Sequence, residues 1–258
     1  MDPTLIGIPA TAALAVGAVT YCAVYPRSQM FGMTICRTSG ARRLAITFDD
    51  GPNPAITPKL LDLLDQFQAK ASFFVIGRFV RECPDLAREI QARGHLLGNH
   101  TETHPNLFWL SPSAVRDEIQ KCQDALQSAT GEPARYFRPP YGMRNPWVVS
   151  AARELGMQTV MWTLIPGDWR ERPVEWLTAK MQPIADHGKS ASRATGDVLC
   201  LHDGAHRQLN GDRTHTLAAL EYWLPRWRDL GLKFVTIPGK GSDKGSDEGA
   251  EAVNTPAS

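Results

Sequence analysis

The stretch LAITFDDGP, residues 44–52, decides how the rest of the chain is interpreted. An apolar run with β-branched residues ends on two neighbouring carboxylates, Asp49 and Asp50, and Gly51–Pro52 follow at once. Short apolar runs bounded by turn residues are typical of buried strands in parallel sheets. The sequence therefore predicts a buried strand over 44–48 that carries two acidic side chains to its carboxyl end.

Strand-like and helix-like segments alternate along the chain. Six further apolar runs predict strands at 71–76, 95–99, 135–138, 159–164, 197–202 and 233–237. A capping side chain followed by proline predicts helix starts at Thr57, Ser111 and Asn145, and a leucine period predicts a last helix from Thr214 to Gly231. Seven strands alternating with helices indicate parallel β–α units. The absence of a G-x-G-x-x-G motif after the first strand favours a barrel over a doubly wound sheet.

The composition excludes several classes of protein. With 43% hydrophobic residues in 258, the chain can bury a sizeable core. Its net charge is +1, from 28 basic and 27 acidic residues with no basic stripe, which argues against nucleic-acid binding. The five cysteines are odd in number and contain no C-x-x-C, so they predict neither a disulfide framework nor a thiolate zinc site.

The two ends of the chain differ from its centre. Residues 5–25 carry no charge and are about as long as a bilayer span, so residues 1–30 are predicted to be a membrane anchor. An apolar helix packed on the domain is the alternative, and the orientation of an anchor is left open. Residues 31–238 form the predicted catalytic domain, and the Gly-, Ser- and acid-rich residues 239–258 a disordered tail. A membrane-anchored protein of a bacterial-type envelope is expected.

Polar side chains follow five of the predicted strands. Asp49 and Asp50 end the first, and the others are followed by His100 and His104, by Arg138 and Tyr141, by Asp168, and by His202. The carboxyl ends of parallel strands meet at one rim, which is where α/β folds bind ligands. We therefore expect these side chains to lie close together.

Taken together, these residue types could form a hydrolytic metal site, which none of them indicates alone. Two imidazoles and one carboxylate form a three-ligand zinc-type site with a fourth position left for water. The second carboxylate, held ionised by Arg138, would be a general base. His202, oriented by Asp168, would be the acid for the leaving group. The spacing alone does not say which of Asp49 and Asp50 is the base and which the ligand.

Five motifs in order resemble the polysaccharide deacetylase family, also called carbohydrate esterase family 4, which includes chitin deacetylases. They are TFDDGP (47–52), HTETH (100–104), RPPYG (138–142), DW (168–169) and LCLHD (199–203), within a similarity that runs from about residue 43 to 237. The resemblance implies a distorted seven-stranded (β/α) barrel and one divalent metal ion, commonly Zn²⁺, sometimes Co²⁺ or another ion. It implies these roles by position: Asp50, His100 and His104 bind the metal; Asp49 is the base; Arg138 positions Asp49; the Tyr141 amide stabilises the oxyanion; and His202, tuned by Asp168, is the acid.

The resemblance implies that an acetylated glycan is the substrate, and it leaves three functions open. The first is a metal-dependent N-deacetylase acting on amino sugars of a polysaccharide, oligosaccharide or lipid-linked glycan. The second is an O-deacetylase, and the third a catalytically inactive glycan-binding protein. Two departures from the family pattern are Ile165, where the fourth motif often begins with Asp, and Cys200, where Leu often faces the acetyl methyl group. A slightly different acyl pocket around Cys200, or simply a cysteine in a buried strand, is expected.

Overall fold

The computed structural model describes residues 16–190 and 194–238. The strands are β1 (Thr34–Ile35), β2 (Gly40–Gly51), β3 (Ser72–Val75), β4 (Leu96–Asn99), β5 (Tyr136–Phe137), β6 (Gln158–Val160), β7 (Thr195–His202) and β8 (Lys233–Phe234). The described part of α1 covers 16–24. The other helices are α2 (Thr57–Gln66), α3 (Gly77–Glu82), α4 (Pro84–Ala92), α5 (Pro112–Thr130), α6 (Pro146–Glu154), α7 (Val174–Lys189) and α8 (Thr214–Asp229).

All pairings between these strands are parallel, in the order β1-β6-β5-β4-β3-β2-β7, with β8 also paired to β2. The segment after β6 closes the sheet on itself, because Leu164 bridges Leu199 of β7 and the Cys200 amide donates to the Leu164 carbonyl at 2.9 Å. Closure through one bridge instead of a full ladder distorts the barrel. The predicted seven-stranded barrel is confirmed, and the short β1 is an additional strand that the sequence did not predict.

Side chains alternate between the inside and the outside of the barrel, as the two-residue period of a strand requires. On β2, Leu44, Ile46 and Phe48 pack outward in the larger core beneath the helices, whereas Ala45 faces a smaller inner cluster. Cys200 of β7 belongs to the same inner cluster. Along β2 the next inward positions are 47 and 49, so the alternation carries Asp49 into the barrel interior.

Asp50 breaks this alternation through a β-bulge. The pairing of β2 with β3 runs from Asp49 opposite Phe74 to Gly51 opposite Val75, which leaves Asp50 without an opposite residue. Its φ of 71° is left-handed, a conformation that is unusual for a residue with a side chain. Consecutive strand residues normally face opposite sides, so the bulge is what allows both carboxylates to serve one site.

Two of the three predicted helix caps are confirmed. The Ser111 hydroxyl accepts from the Ala114 amide at 3.3 Å, and the Asn145 side chain accepts from the Val148 amide at 3.0 Å. The predicted Thr57 cap is wrong, because Thr57 lies inside its helix and its hydroxyl bonds to the buried carboxylate of Asp203 at 2.5 Å. That bond joins α2 to the loop after β7.

The predicted N-terminal anchor is only partly covered by the described residues. Within them, no helix is both long enough and apolar enough to cross a membrane, and residues 5–15 of the predicted span lie outside them. Arg144 holds the end of α1 on the domain by donating to the carbonyls of Cys22, Tyr25 and Ser28. Val16 remains 67% exposed. The predicted tail at 239–258 also lies outside the described residues.

Candidate active site

A cavity of about 550 Å³ lies at the carboxyl ends of the barrel strands. Six of the eight predicted site residues line it: Asp49, Asp50, His100, His104, Tyr141 and His202. The other two, Arg138 and Asp168, are completely buried. Arg138 hydrogen-bonds to the cavity-lining Asp49, and Asp168 to the cavity-lining His202. The structure therefore brings all eight predicted residues into one constellation, although they come from five separate chain segments.

Asp50, His100 and His104 converge on one point. Oδ1 of Asp50 lies 3.5 Å from His100 Nε2 and 3.2 Å from His104 Nε2. Two ligands that bind one ion at zinc-like bond lengths in tetrahedral geometry are about 3.4 Å apart. That carboxylate oxygen is buried and makes no hydrogen bond, which is costly unless a cation satisfies it. These residues therefore fit a divalent metal ion.

The histidines are held in the form that a metal requires. His100 Nδ1 lies 2.7 Å from the Arg138 carbonyl, so Nδ1 carries the proton and Nε2 offers its lone pair towards Asp50. The chain turns back at His104, whose φ is 60° and whose amide donates to the Thr101 hydroxyl at 3.0 Å. Burial and the nearby His100 lower the pKa of His104 to about 3, which keeps its imidazole neutral.

Asp49 is paired with a buried arginine. Nη1 of Arg138 donates to Asp49 Oδ1 and to the Thr47 hydroxyl, each at 2.7 Å. The guanidinium also donates to the carbonyls of Val160 and Met161, and it lies over the ring of Phe74 at 4.1 Å. These contacts fix Arg138 in the barrel interior, with its positive charge against the carboxylate of Asp49.

Cys200 contacts this ion pair and does not border the cavity. Its Sγ donates to Asp49 Oδ2 at 3.4 Å, and its side chain is buried. Burial and the charge of Asp49 raise the pKa of the thiol well above its usual value, so it remains a protonated donor. The ligand atoms of Asp49, Cys200 and His202 also lie within 4.8 Å of one another, as a metal site would require. However, Asp49 already accepts a hydrogen bond from Arg138, and His202 Nδ1 already donates to Asp168. A metal therefore fits better at Asp50.

His202 forms a pair with Asp168. Asp168 accepts from His202 Nδ1 at 2.8 Å through Oδ1, and from the His202 amide at 2.8 Å through Oδ2. The Thr216 hydroxyl also donates to Oδ2, at 2.9 Å, which fixes the carboxylate. Burial disfavours the imidazolium, but the charge and hydrogen bond of Asp168 outweigh this and raise the pKa of His202 to about 9. His202 is therefore protonated at neutral pH, with Nε2–H as its remaining donor.

Asp168→Asn is expected to move the alkaline limb of the pH–rate profile to lower pH. In the predicted role of acid His202 must be protonated, so we expect the activity of the unchanged protein to fall as the pH rises through about 9. Without the Asp168 charge the pKa returns towards or below the ordinary value of about 6.5. Initial rates between pH 5 and 10 measure the shift. Glu171→Gln on the same loop is the control, and an alkaline limb that stays at about 9 in Asp168→Asn would disprove the pairing.

The rim of the cavity combines aromatic and apolar side chains. Tyr141, in a left-handed conformation with φ 57°, is 54% exposed, and its ring meets that of His104 edge-on at 4.7 Å. Trp169 is 42% exposed and packs edge-on against His202. Ile165 lines the cavity at the position where the family pattern often has Asp. That part of the wall is therefore apolar in this chain.

His206 also lines the cavity, although it was not among the predicted site residues. His206, on the loop after β7, places Nδ1 3.8 Å from Asp50 Oδ2 and stacks on the ring of His104 with centroids 4.4 Å apart. Its position after His202 in the HDGAHR segment was the only available signal. A single histidine in a polar loop gives no indication of which strand end it will face.

A metal-dependent hydrolase is the class that this barrel and site define. A sequence profile of the polysaccharide deacetylase family matches residues 37–160. A peptidoglycan-N-acetylglucosamine deacetylase from Bacillus cereus is 38% identical over 75% of this chain and 85% of its own. A chitooligosaccharide deacetylase from Azorhizobium caulinodans is 35% identical over 78% and 95%. The chain belongs to the polysaccharide deacetylase family and is a polysaccharide N-deacetylase, as its motifs predicted.

Solved structures of the same family share this fold. A peptidoglycan N-acetylglucosamine deacetylase in complex with 4-naphthalen-1-yl-N-oxidanyl-benzamide has a TM-score of 0.69 and 30% identity, over 78% of this chain and 90% of that one. A pseudoenzyme of carbohydrate esterase family 4 from Bacillus anthracis also has a TM-score of 0.69, with 27% identity over 80% and 67%. The fold is therefore shared by active and inactive proteins, and activity must be argued from the site itself.

Proposed function

We propose that this enzyme hydrolyses the acetamide of N-acetylglucosamine residues within a glycan strand. The observation that carries the proposal is the convergence of three groups on one cavity: the Asp50, His100 and His104 cluster, the Asp49–Arg138 pair and the His202–Asp168 pair. The relatives named above act on peptidoglycan and on chitooligosaccharides, and both of these glycans present an acetamide on an amino sugar.

We assign Asp50, His100 and His104 as the ligands of one Zn²⁺ ion. Two imidazoles and a carboxylate are a zinc-type donor set, and the unsatisfied Oδ1 of Asp50 supports a cation there. The same ligands also accept Co²⁺ and other divalent ions of similar preference. When bound, the metal lowers the pKa of water and polarises a carbonyl oxygen.

We assign the remaining roles as the family resemblance implies, with the contacts described above as support. Asp49 takes the proton of the attacking water, and Arg138 holds that carboxylate in place by a hydrogen bond to Oδ1. The backbone N–H of Tyr141 donates to the oxyanion that develops on the acetyl carbonyl oxygen. His202 then gives its Nε2 proton to the departing amine, because Nδ1 is already committed to Asp168. Trp169 borders the cavity beside His202, where an aromatic face suits the apolar face of a sugar ring.

Acetate release from a panel of glycans tests the proposal. Chitooligosaccharides and peptidoglycan fragments supply N-acetyl groups, and an O-acetylated xylan supplies esters. Purified full-length enzyme is treated with chelator, dialysed, and assayed before and after addition of one equivalent of Zn²⁺ or Co²⁺. We expect release from N-acetylated glycans, loss with the chelator, and recovery with the metal.

Each alternative function has its own result in this assay. Faster release from the ester than from either amide would make the enzyme an O-deacetylase. Binding of a glycan without acetate release by the metal-loaded protein would make it an inactive glycan-binding protein. Release that is unaffected by removal of metal, verified by elemental analysis, would refute the metal assignment.

We further propose that residues 1–30 anchor the enzyme at a bacterial-type envelope. The support is the uncharged run at 5–25, which suits a bilayer span. Membrane fractionation of the full chain and of a chain beginning at residue 31 tests this. Recovery of both chains in the soluble fraction would contradict it.

A further inference from the structure

We propose that His206 is a positioning residue for metal binding, holding Oδ2 of Asp50 so that Oδ1 faces the two ligand histidines. The inference rests on the metal site proposed above. The ligand-type atoms of Asp50, His104 and His206 all lie within 4.8 Å of one another, so His206 is close enough to act on the site. The orientation of its ring decides how it acts.

The two nitrogens of His206 have different partners. Nδ1 faces Asp50 Oδ2 at 3.8 Å, about 0.6 Å beyond a hydrogen bond, and Nε2 lies 3.5 Å from the Tyr141 hydroxyl. The Tyr141 hydroxyl is placed to donate to Nε2. With Nε2 as the acceptor, Nδ1 is the nitrogen left to donate, and it is the one that lies on the side of Asp50.

The ring orientation argues against direct coordination by His206. Its plane is within 18° of that of His104, and the two centroids are 4.4 Å apart. A histidine binds a metal through a lone pair in the plane of its ring. Because the two rings are stacked, their in-plane lone pairs would not meet at one ion, and His206 Nδ1 lies instead 3.8 Å from Asp50 Oδ2.

The loop that carries His206 is fastened to the barrel. The His206 carbonyl accepts from Arg78, and the buried Asn53 side chain donates to the carbonyls of Asp203 and Gly211, each at 2.8 Å. Gly204 allows the loop to approach, because a Cβ there would lie 2.0 Å from the Asp50 carbonyl oxygen. The loop therefore packs directly on the backbone of Asp50, and the place of His206 is fixed by contacts outside its own side chain.

Positioning of this kind has a measurable consequence. Groups that orient metal ligands typically contribute about 10–100-fold to metal affinity. Without the Nδ1 donor, Asp50 is free to rotate about its side-chain bonds, and binding must then pay the entropy of fixing it. The set of atoms bound to the metal stays the same, so affinity changes and coordination does not.

Co²⁺ binding to the chelator-treated full-length enzyme tests the proposal through visible absorption. His206→Ala is expected to weaken Co²⁺ binding about 10–100-fold with unchanged band positions and intensities at saturation. His206→Asn is expected to restore most of the affinity, because its side-chain amide offers a donor close to the position of Nδ1. Asn210→Ala, at an exposed position of the same loop that does not line the cavity, is the matched control and should bind like the unchanged enzyme.

The outcomes separate this inference from the proposed function. Failure of the unchanged enzyme to bind Co²⁺ would overturn the metal site itself. Normal binding with equal affinity in His206→Ala would overturn only the role of His206. An altered saturated spectrum in His206→Ala would show that His206 is a direct ligand, and failure of His206→Asn to recover affinity would show that the donor is not what matters.

Discussion

Asp49→Asn is expected to lower kcat about 10²–10⁴-fold while the bound-metal content stays at the level of the unchanged enzyme. The amide is nearly the same size and still accepts from Arg138, but it cannot take a proton from water. Asp49 contacts Arg138 and Cys200. Asp50, the carboxylate that lies closer to the two ligand histidines, is left intact. Steady-state rates combined with elemental analysis of the purified variant measure both quantities.

The two adjacent acids make this experiment a test of their assignment. Loss of metal from Asp49→Asn would mean that the roles of Asp49 and Asp50 are exchanged. Asp212→Asn is the control, since Asp212 lies exposed on the loop before α8 and accepts from the Thr214 amide, as an asparagine also can. A normal kcat in Asp49→Asn would show that Asp49 is not the general base.

Arg138→Met is expected to lower the free energy of unfolding by about 3–5 kcal/mol and to abolish most of the activity. Removing one partner of a fully buried ion pair leaves the other charge unpaired, and Asp49 is only 3% exposed. The variant also leaves the Thr47 hydroxyl and two carbonyls without their donor. The shift of the urea midpoint, with the m-value checked for constancy, measures the loss of stability.

Arg116→Met is a matched control for that loss. Arg116 also pairs with a carboxylate, Glu154, at 3.1 Å, but both side chains are about half exposed, and such pairs contribute about 0–1 kcal/mol. The double variant Asp49→Asn with Arg138→Met should lose less than the sum of its parts, because no buried charge is left unpaired. Equal midpoints for Arg138→Met and Arg116→Met would contradict the structural role of the buried guanidinium.

Much of the fold could be predicted because its signals are local. Each predicted strand is an apolar run bounded by turn residues, and Ser111 and Asn145 cap their helices with side chains that sequence neighbours reveal. The Thr57 cap was predicted wrongly because the sequence around Thr57 is the same as that of a helix cap. The partner that its hydroxyl actually bonds, Asp203, lies far along the chain. The bridge from Leu164 to Leu199 that closes the barrel is likewise long-range, and a single bridge has no sequence pattern.

The site could be located from sequence because its residues follow strand ends, but its detailed geometry could not. An alternating strand would send the side chains of Asp49 and Asp50 to opposite faces, and only the bulge brings them together. Cys200 was expected either in the acyl pocket or in the core. It faces the buried interior of the barrel, where its thiol contacts Asp49 and Arg138, and it does not line the cavity.

The bulge at Asp50 also has a consequence for engineering. Glycine adopts a φ of 71° at little steric cost, and asparagine tolerates it better than most residues, so both would relieve the backbone there. Screens that select heat-tolerant variants without assaying turnover should therefore enrich Asp50→Gly and Asp50→Asn. Such variants would be more stable to heat but would lack one ligand of the metal ion, so the requirements of stability and of catalysis conflict at residue 50.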